Sequence, residues 1–520
     1  MKKKLTSYIT LLLTACMLLT GCGNTGDGQD SQATQDNQNS QSNSAQTDSD
    51  SQSTGDNEDT KIDYVDTNGY LENDSVFVVG VEKLPYSHEE IYQQLFDLKN
   101  VIQIHVDITD EELMKIQEDY DKYASMGSKS PIYRDAAMNI TISTSANTYT
   151  YHIPNVGVRM KGNTSRTSFY NDWEGQYNLI HFRIKFQDDD FATLGNLEMK
   201  WNRNDDSTYI REYYAYEMYR DLGILAPRTN LASTDVGEVH QGVFTIYEPV
   251  DKNFIERYVA KEDQGGDLYK CAWTMNGANL TKECSIGVED EDARKFYNYD
   301  LKTNKKTSDH AQMKNLISVL NRNYVTKENL EELVDMDSFL RFAAISYFVG
   351  NPDDIRYNYN NHYIYFLKSS GKAIFIPYDC DRVLGVTEGW NPTGNGMTDI
   401  DPFTTKAEGA YQDQANPLFR YTVDKGGYYT DEFALQLKLV AASQWMQPDY
   451  FENYYNIASR NYFLYTTPGK TFQNAEHHDF RFDIEKSDGL NTDRGNASFE
   501  EYITAKLKAY NRYMEKYYND

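Results

Sequence analysis

The order of strand-type and helix-type patterns along the chain restricts its fold more than any other sequence feature. From about residue 98 to 250, short segments rich in β-branched and aromatic residues recur, and this composition is typical of strands. From Gln312 onward, apolar residues recur at the spacing of amphipathic helices. We therefore predict an α+β domain over 61–520, with a sheet-rich N-lobe at about 98–250, a helix-rich C-lobe at about 251–520 and a cleft between them.

The same patterns predict individual elements. The expected strands are 101–106, 138–143, 148–152, 156–160, 179–186, 197–201 and 242–249. The expected helices are 110–123, one that Asp206 or Ser207 caps and that stops near Gly223, 313–321, 327–334 and 336–349. A hairpin of 361–367 with 373–377 interrupts the later helices. Residues 391–520 are expected to be mainly helical and contain no motif that indicates a function.

The first 22 residues have the features of an export signal. Lys2, Lys3 and Lys4 precede an apolar run at 9–19, which is too short for a permanent membrane helix, and the sequence LTGC ends at Cys22. We predict that residues 1–21 are a lipoprotein signal peptide and that Cys22 is acylated. The lipid would attach the protein to the outer face of the cell membrane. An ordinary signal peptide with an incidental cysteine is the alternative.

Composition predicts a tether and limits the partners. Residues 22–60 have almost no aliphatic side chains, so burial cannot offset the entropy cost of ordering them, and we expect a disordered tether. The net charge of −28 argues against a nucleic-acid partner and leaves a cationic partner or a bound metal open. No later apolar run has membrane-spanning length, so we expect membrane attachment through the lipid only.

Three cysteines remain in the folded part, Cys271, Cys284 and Cys380. A disulfide between Cys271 and Cys284 is possible in an oxidising exterior. The sequence does not favour this disulfide over three free thiols, and it contains no CxxC pattern for zinc.

One segment in the second half contains the side chains that a phosphoryl-transfer site needs. It runs from GNPDD at 350–354 through NNHYIY at 360–365 to IPYDCD at 376–381. One carboxylate can orient an acceptor hydroxyl, and an amide with a second carboxylate can hold a divalent metal on the phosphates. Asp379 and Asp381 lie two residues apart, so in an extended chain they point the same way and can share a metal ion. The alternative is that these acids only cap turns.

This segment resembles the pattern G-N-x-D, H-N-Y-Y-x-Y and I-P-W-D-x-D of the CotH family of spore-coat-type protein kinases. The chain departs from that pattern by Asn360 for the histidine, His362 for a tyrosine and Tyr378 for the tryptophan. The resemblance implies a two-lobed, atypical protein-kinase-like fold and roles for four residues. These are Asp353 as the acidic residue of the catalytic loop, Asn361 as the metal-binding amide, Asp379 as the main metal carboxylate and Asp381 as its support. Asp354 can replace Asp353 in this register.

Upstream residues extend the resemblance. The sequence RMKGNTSR at 159–166 is similar to the family's R-x-x-G-N-S-S-R turn, where Lys161 and Arg166 would add charge near phosphate oxygens. Lys185 is similar to the family's strand lysine and would pair with the α- and β-phosphates. The connection that begins at Glu248 would be the interlobe hinge that faces the adenine. A plain hairpin turn and a solvated edge-strand lysine are the alternatives for these two features.

A strand lysine of this kind needs a glutamate on the following helix. The apolar stripe of that helix begins at Ile210, and Glu217 lies on the same face, whereas Glu212 lies roughly opposite. A carboxylate on a core-facing stripe needs a cation, so we predict an ion pair between Lys185 and Glu217. Arg220 is the alternative partner for Glu217.

The resemblance runs from about residue 100 to 390 and implies a kinase. It would transfer the γ-phosphoryl group of ATP, with Mg²⁺ or Mn²⁺, to Ser or Thr of a protein on the cell surface or spore coat. The scarcity of ATP outside cells argues against this for a surface lipoprotein. One alternative is a non-catalytic surface module with the same fold, which binds a protein or polysaccharide. Another alternative is the transfer of AMP from ATP that is bound in a flipped pose. The mass of the product distinguishes this reaction from phosphoryl transfer.

Overall fold

The computed structural model describes most of the folded part of the chain. The described residues are 76–79, 84–162, 165–171, 176–188, 190–204, 206–272, 277–386, 397–404, 416–466, 469–471, 475–477 and 497–518. All of them belong to one compact unit, Ile62–Asp520. The predicted signal peptide, Cys22 and the tether lie outside the described residues. Among the helices that the structure describes, none is long and apolar enough to cross a membrane.

Eight strands of the first half form one sheet. They are β1 (Val76–Val79), β2 (Val101–Asp107), β3 (Arg134–Ser143), β4 (Thr148–Lys161), β7 (His181–Phe186), β8 (Asn196–Trp201), β9 (Thr229–Val236) and β10 (Val239–Tyr247); the short strands β5 (Tyr170–Asn171) and β6 (Gln176–Tyr177) pair separately. The spatial order is β1-β4-β3-β2-β9-β10-β8-β7. Because β4 also pairs with β7, the sheet closes into a ring that leaves β1 outside.

Strand β4 differs from the prediction. We expected separate strands at 148–152 and 156–160, but the structure has one strand through both. Pro154 lacks a backbone donor, and the register with β3 shifts around it, from Met138 opposite Ile153 to Ala136 opposite Val156. A bulge at this place accommodates the proline without ending the strand.

The period-two alternation of the strands decides which side chains reach the first hydrophobic core. Phe182 and Ile184 on β7 and Leu197 and Met199 on β8 belong to this core. The alternate residues of β8 therefore point to the opposite face of the sheet. That face carries the polar residues of the candidate site.

Five strands of the second half form another sheet, in the spatial order β12-β13-β11-β14-β15. They are β11 (Leu268–Cys271), β12 (Ile286–Gly287), β13 (Tyr299–Leu301), β14 (His362–Phe366) and β15 (Ala373–Pro377). Strands β14 and β15 form the expected antiparallel hairpin. Strands β11 to β13 were not predicted, because two to four residues are too few to show a strand pattern.

Helices dominate towards the C-terminus. The helices are α1 (His88–Leu95), α2 (Asp110–Ser125), α3 (Arg211–Asp221), α4 (Lys252–Tyr258), α5 (Ala311–Leu320), α6 (Lys327–Leu333), α7 (Met336–Val349), α8 (Pro417–Thr422), α9 (Thr430–Ala441), α10 (Pro448–Tyr462) and α11 (Phe499–Tyr518). The predicted mixed α/β fold, with a sheet-rich first half and helices towards the C-terminus, is confirmed. Cys271, Cys284 and Cys380 are free thiols in this structure.

Candidate functional site

Two polar residues of β8, Glu198 and Lys200, contact the segment that follows β15. Lys200 Nζ lies 2.5 Å from Asp379 Oδ1 and 3.3 Å from Asp381 Oδ2. Glu198 lies two residues earlier, so its side chain points the same way and accepts a hydrogen bond of 3.0 Å from the Tyr378 hydroxyl. One strand of the first sheet thus holds three residues of the segment 378–381.

Helix α3 supplies a third carboxylate to Lys200. Lys200 Nζ lies 3.4 Å from Glu212 Oε1, and the Tyr247 hydroxyl donates a hydrogen bond to the same carboxylate. The Lys200 side chain is 6% exposed and the Glu212 side chain is 10% exposed, whereas about a third of Asp379 is exposed. The ammonium is therefore buried and the Asp379 carboxylate is open to a ligand.

The charges of this cluster depend on one another. Burial alone would lower the pKa of Lys200, but Asp379, Asp381 and Glu212 raise it well above its usual value. Burial would raise the pKa of Asp379, but the ammonium of Lys200 holds it well below its usual range. Burial raises the pKa of Glu212 to about 7, because its effect is larger than the opposing effect of the Lys200 ammonium. At neutral pH, Lys200 and Asp379 are both charged.

Asp353 lies in the loop after α7, and three asparagine amides surround it. Its carboxylate accepts hydrogen bonds from Asn358 Nδ2 at 2.5 Å, Asn360 Nδ2 at 3.3 Å and Asn361 Nδ2 at 3.1 Å. Burial raises the pKa of Asp353 to about 6, and the charge of Asp379 adds to this shift while the amides oppose it. A carboxylate with this pKa is ionised at neutral pH and can accept a proton.

Asp354 faces a different environment from its neighbour. Its carboxylate accepts hydrogen bonds from the hydroxyl of Ser346 on α7 and from the backbone amides of Arg356 at 2.8 Å and Tyr357 at 3.3 Å. Burial raises the pKa of Asp354 to about 6. Asp354 is buried, at 7% exposure, and therefore stabilises the turn that carries the partly exposed Asp353.

The β14–β15 hairpin brings the two ends of the segment together. The Tyr378 amide donates to the Asn361 carbonyl at 3.1 Å, and Asn351 Nδ2 donates to the Asp379 carbonyl at 3.3 Å. Asn361 and Asp379 have φ values of 49° and 53°, in the left-handed region that Asn and Asp tolerate best among residues with a side chain. The backbone thus turns sharply at both residues, beside Asp353.

Lys161 joins the site through Glu198. Lys161 Nζ lies 3.1 Å from Glu198 Oε2, and Arg183 Nη1 lies 3.6 Å from Glu198 Oε1. Burial alone would raise the pKa of Glu198, but Lys161 and Arg183 lower it to about 2. Lys161 also lies 5.5 Å from the centre of the Tyr378 ring. Of the two basic residues predicted in the turn 159–166, Lys161 therefore contacts the site.

The predicted pair of Lys185 and Glu217 is not formed. Lys185 is exposed and lies 6.0 Å from the ring of Tyr133, while Glu217 binds Arg220, the alternative partner. The structure has Lys200 with Glu212 in the expected arrangement of strand lysine and helix glutamate.

The prediction assumed that α3 buries one stripe. In fact α3 is buried on nearly all sides, and Glu217 is one of the few partly exposed positions in it. Lys200 lies in the predicted strand 197–201, so a polar residue at that position was the available signal.

Two other predicted residues have structural partners. Arg166 Nη1 donates to the Ser128 carbonyl at 2.6 Å. Glu248 follows β10, and its fully buried carboxylate binds Arg257 and accepts from the Arg228 amide at 3.2 Å. The Glu248 amide donates to the Arg228 carbonyl at 2.9 Å, so neither the side chain nor this amide is free to bind adenine.

Arg211, the residue before Glu212, was not predicted as part of the site. It is 1% exposed, and its Nη1 donates to the carbonyls of Leu384 at 2.8 Å and Ala497 at 2.6 Å. Helix α3 is thereby tied to the chain just after Asp381 and to the residues that precede α11. The C-terminal region, in which the sequence shows no motif, thus supports the site.

Comparison with known proteins supports one family. The model of the family described as CotH kinase protein matches residues 158–460, which include every site residue from Lys161 to Asp381. The chain is also similar to the inner spore coat protein H of Bacillus subtilis (strain 168), with 26% identity over 191 residues, which are 35% of this chain and 48% of that protein. The chain therefore spans about half the length of the curated relative it matches. Since the family model matches more than half of the chain, this protein belongs to the CotH kinase protein family.

Proposed function

We propose that this protein transfers the γ-phosphoryl group of ATP to serine or threonine hydroxyls of a protein on the cell surface or in the spore coat. The observation that carries the proposal is the buried Lys200, whose Nζ lies 3.4 Å from Glu212 and 2.5 Å from Asp379. Protein kinases hold the ATP phosphates with a strand lysine that is paired with a helix glutamate, and they place a metal-binding aspartate beside it.

Each residue has a separate role in this proposal. Lys200 binds the ATP phosphates, and Glu212 orients the ammonium from the side away from the ligand. Asp353 accepts the proton of the acceptor hydroxyl, for which its pKa of about 6 is suited near neutral pH. The three asparagine amides hold the Asp353 carboxylate in place without adding charge.

The oxygens of Asp379, Asp381 and Asn361 fit a Mg²⁺ or Mn²⁺ ion. No group of three or more His, Cys, Asp or Glu side chains in the described part of the chain is arranged to hold a metal ion. Magnesium in such enzymes usually takes one or two carboxylates together with substrate phosphates and water, so a small set is sufficient. Asn361 Oδ1 accepts no hydrogen bond from the described residues and is available. Bound there, the ion would neutralise phosphate charge.

The place of action follows from two separate arguments. The name of the Bacillus subtilis relative contains the words inner spore coat. The predicted signal peptide and acylated Cys22 would carry this chain to the outer face of a membrane. We therefore propose that the acceptor is an exported coat or surface protein.

A labelling assay on the full chain tests the proposal. We expect the purified protein with ATP and Mg²⁺ or Mn²⁺ to add phosphate to a casein-like acceptor, and intact-mass spectrometry would record the gain. A gain of AMP would replace the proposal by nucleotidyl transfer. If neither modification occurs and ATP with metal does not raise the melting temperature, the protein is a binding module and the proposal fails.

The adjacent residues Asp353 and Asp354 provide a matched pair of variants. We expect Asp353→Asn to lower the transfer rate by about 10²–10⁴-fold, the usual contribution of a general base, and to cost about 1–3 kcal/mol of stability, because its carboxylate accepts hydrogen bonds from three asparagine amides. Asp354→Asn should cost about 1–3 kcal/mol of stability through its hydrogen bonds to the turn and keep a rate near that of the wild type. Initial rates and urea unfolding would measure both effects. If instead Asp354→Asn lowers the rate and Asp353→Asn does not, Asp354 is the catalytic base.

A further inference from the structure

A second group of basic side chains lies on the five-stranded sheet, beside the proposed transfer site. Lys270 is on β11, directly opposite Asp300 on β13 and Tyr363 on β14, so these three side chains share one face of the sheet. Lys270 Nζ lies 4.3 Å from the centre of the Tyr378 ring. The centres of the Tyr378 and Tyr363 rings are 5.2 Å apart. The ammonium therefore lies against Tyr378, the residue before Asp379.

Among the residues that the structure describes, the ammonium of Lys270 has no acidic partner in contact. Within the described residues it forms no ion pair and no hydrogen bond, although it is half-buried. Glu198 is the acid whose charge acts on Lys270 to raise its pKa, but Glu198 already contacts Lys161, Arg183 and the Tyr378 hydroxyl. The Tyr378 ring compensates in part through a cation–π contact. A half-buried cation without a carboxylate is costly unless a ligand supplies the anion.

Neighbouring cations increase this cost. Lys302 binds Asp300 and lies 3.8 Å from Glu289, and Lys129 also shares Glu289 at 3.6 Å. Burial, together with repulsion from Lys161, Lys302 and Lys129, lowers the pKa of Lys270 to about 7, against the attraction of Glu198. In a chain with a net charge of −28, Lys302, Lys129 and Lys161 each contact a carboxylate here, whereas Lys270 contacts none among the described residues.

We propose that Lys270 and its basic neighbours form a subsite for a phosphate-type oxyanion beside Tyr378. A tetrahedral oxyanion offers several acceptor oxygens, so it can contact Lys270 and a second cation at once. The oxyanion could belong to the nucleotide or to a phosphorylated residue of the acceptor, because both carry the same chemical group. The subsite concerns binding alone and does not require that transfer occurs.

Sulfate is the first probe, because its charge does not change between pH 6 and 9. We expect sulfate to raise the melting temperature of the full chain, and Lys270→Met to weaken sulfate binding by about tenfold or more, as expected for loss of one charge-assisted hydrogen bond. Without sulfate, the Lys270→Met protein should be at least as stable as wild type, since an unpaired ammonium has been removed. A merely structural lysine would give the opposite change.

Lys252→Met is the control for the loss of one positive charge. Its side chain is 76% exposed and pairs with Glu256 on helix α4, so sulfate binding should be unchanged. Equal sulfate binding by Lys270→Met and wild type, or no binding by wild type, would overturn the proposal.

Competition then identifies the source of the oxyanion. Displacement of sulfate by ATP, with weaker ATP binding in Lys270→Met, would assign the subsite to the nucleotide. Displacement by a phosphoserine peptide would assign it to the acceptor, and either result supports the subsite. If neither ligand displaces sulfate, the proposal of a ligand subsite is wrong. These are binding measurements, so their failure is distinguishable from a failure of phosphoryl transfer.

Discussion

Replacing Lys200 with methionine is expected to lower the free energy of unfolding by about 3 kcal/mol at neutral pH, the low end for breaking a buried ion cluster. Lys200 contacts the carboxylates of Glu212, Asp379 and Asp381, and methionine fills its volume without its charge. Glu212 accounts for most of the loss because it is 10% exposed, whereas Asp379 and Asp381 are 34% and 29% exposed and water screens them. Urea unfolding measures the change.

The loss should depend on pH in a defined direction. Without Lys200, burial leaves the pKa of Glu212 even higher in the folded protein than in the unfolded protein, because the ammonium that opposed this shift is gone. A carboxyl of this kind takes up a proton on folding, so its contribution to stability is lost as pH rises through its folded pKa. Already in the wild type the pKa of Glu212 is about 7 against a usual 4.5. The gap between variant and wild type should therefore widen from pH 5 to 8.

Lys200→Arg is the matched control, since it keeps the positive charge. We expect it to retain most of the stability, although its planar guanidinium differs from an ammonium in shape and should still impair phosphate binding. A Lys200→Met protein with wild-type stability at both pH 5 and pH 8 would contradict the charge cluster described above.

Replacing Asp379 with asparagine is expected to reduce phosphoryl transfer by about 10³-fold, because the residue would lose the charge that binds metal while keeping its size. Lys200 would still contact Glu212 and Asp381, so we expect stability to change by no more than about 1 kcal/mol. Initial rates over a range of Mg²⁺ concentrations, beside urea unfolding, separate these effects.

Asp381→Asn is the control for Asp379→Asn. Its carboxylate lies farther from Lys200, at 3.3 Å instead of 2.5 Å, and we assign it a supporting role, so the rate should fall by only about tenfold. If Asp379→Asn keeps the wild-type rate and Mg²⁺ dependence, Asp379 does not bind the metal, and the proposed mechanism loses its central residue.

The order acid, amide, hairpin, acid was readable in the sequence because its parts are local. A single tight hairpin, marked by two short apolar and aromatic runs and the turn at Ser369, Ser370 and Gly371, joins Asn361 to the segment that contains Asp379. The long helices were equally clear, since their apolar spacing persists over several turns.

The partner of the strand lysine was not readable from local pattern. Lys185 and Lys200 both lie on strands, β7 and β8, and each is flanked by apolar residues and follows a charged residue two positions earlier. The side chain of Lys200 is buried only because α3 and the residues after β15 cover that face of β8, and all of these contacts are distant in sequence. Lys185 remains exposed because no described helix or loop covers its position in this way.

By itself, the sequence determined the mixed fold, the hairpin and the residue types that phosphoryl transfer needs, since each depends on short-range spacing. Tertiary structure alone decided that Lys200 and Glu212 form the buried pair and that Asp353 faces the asparagine amides while Asp354 faces α7. It also decided that Lys270 contacts no acid among the described residues. The physical reason is that burial and charge pairing depend on which surfaces cover a side chain, and those surfaces come from distant parts of the chain.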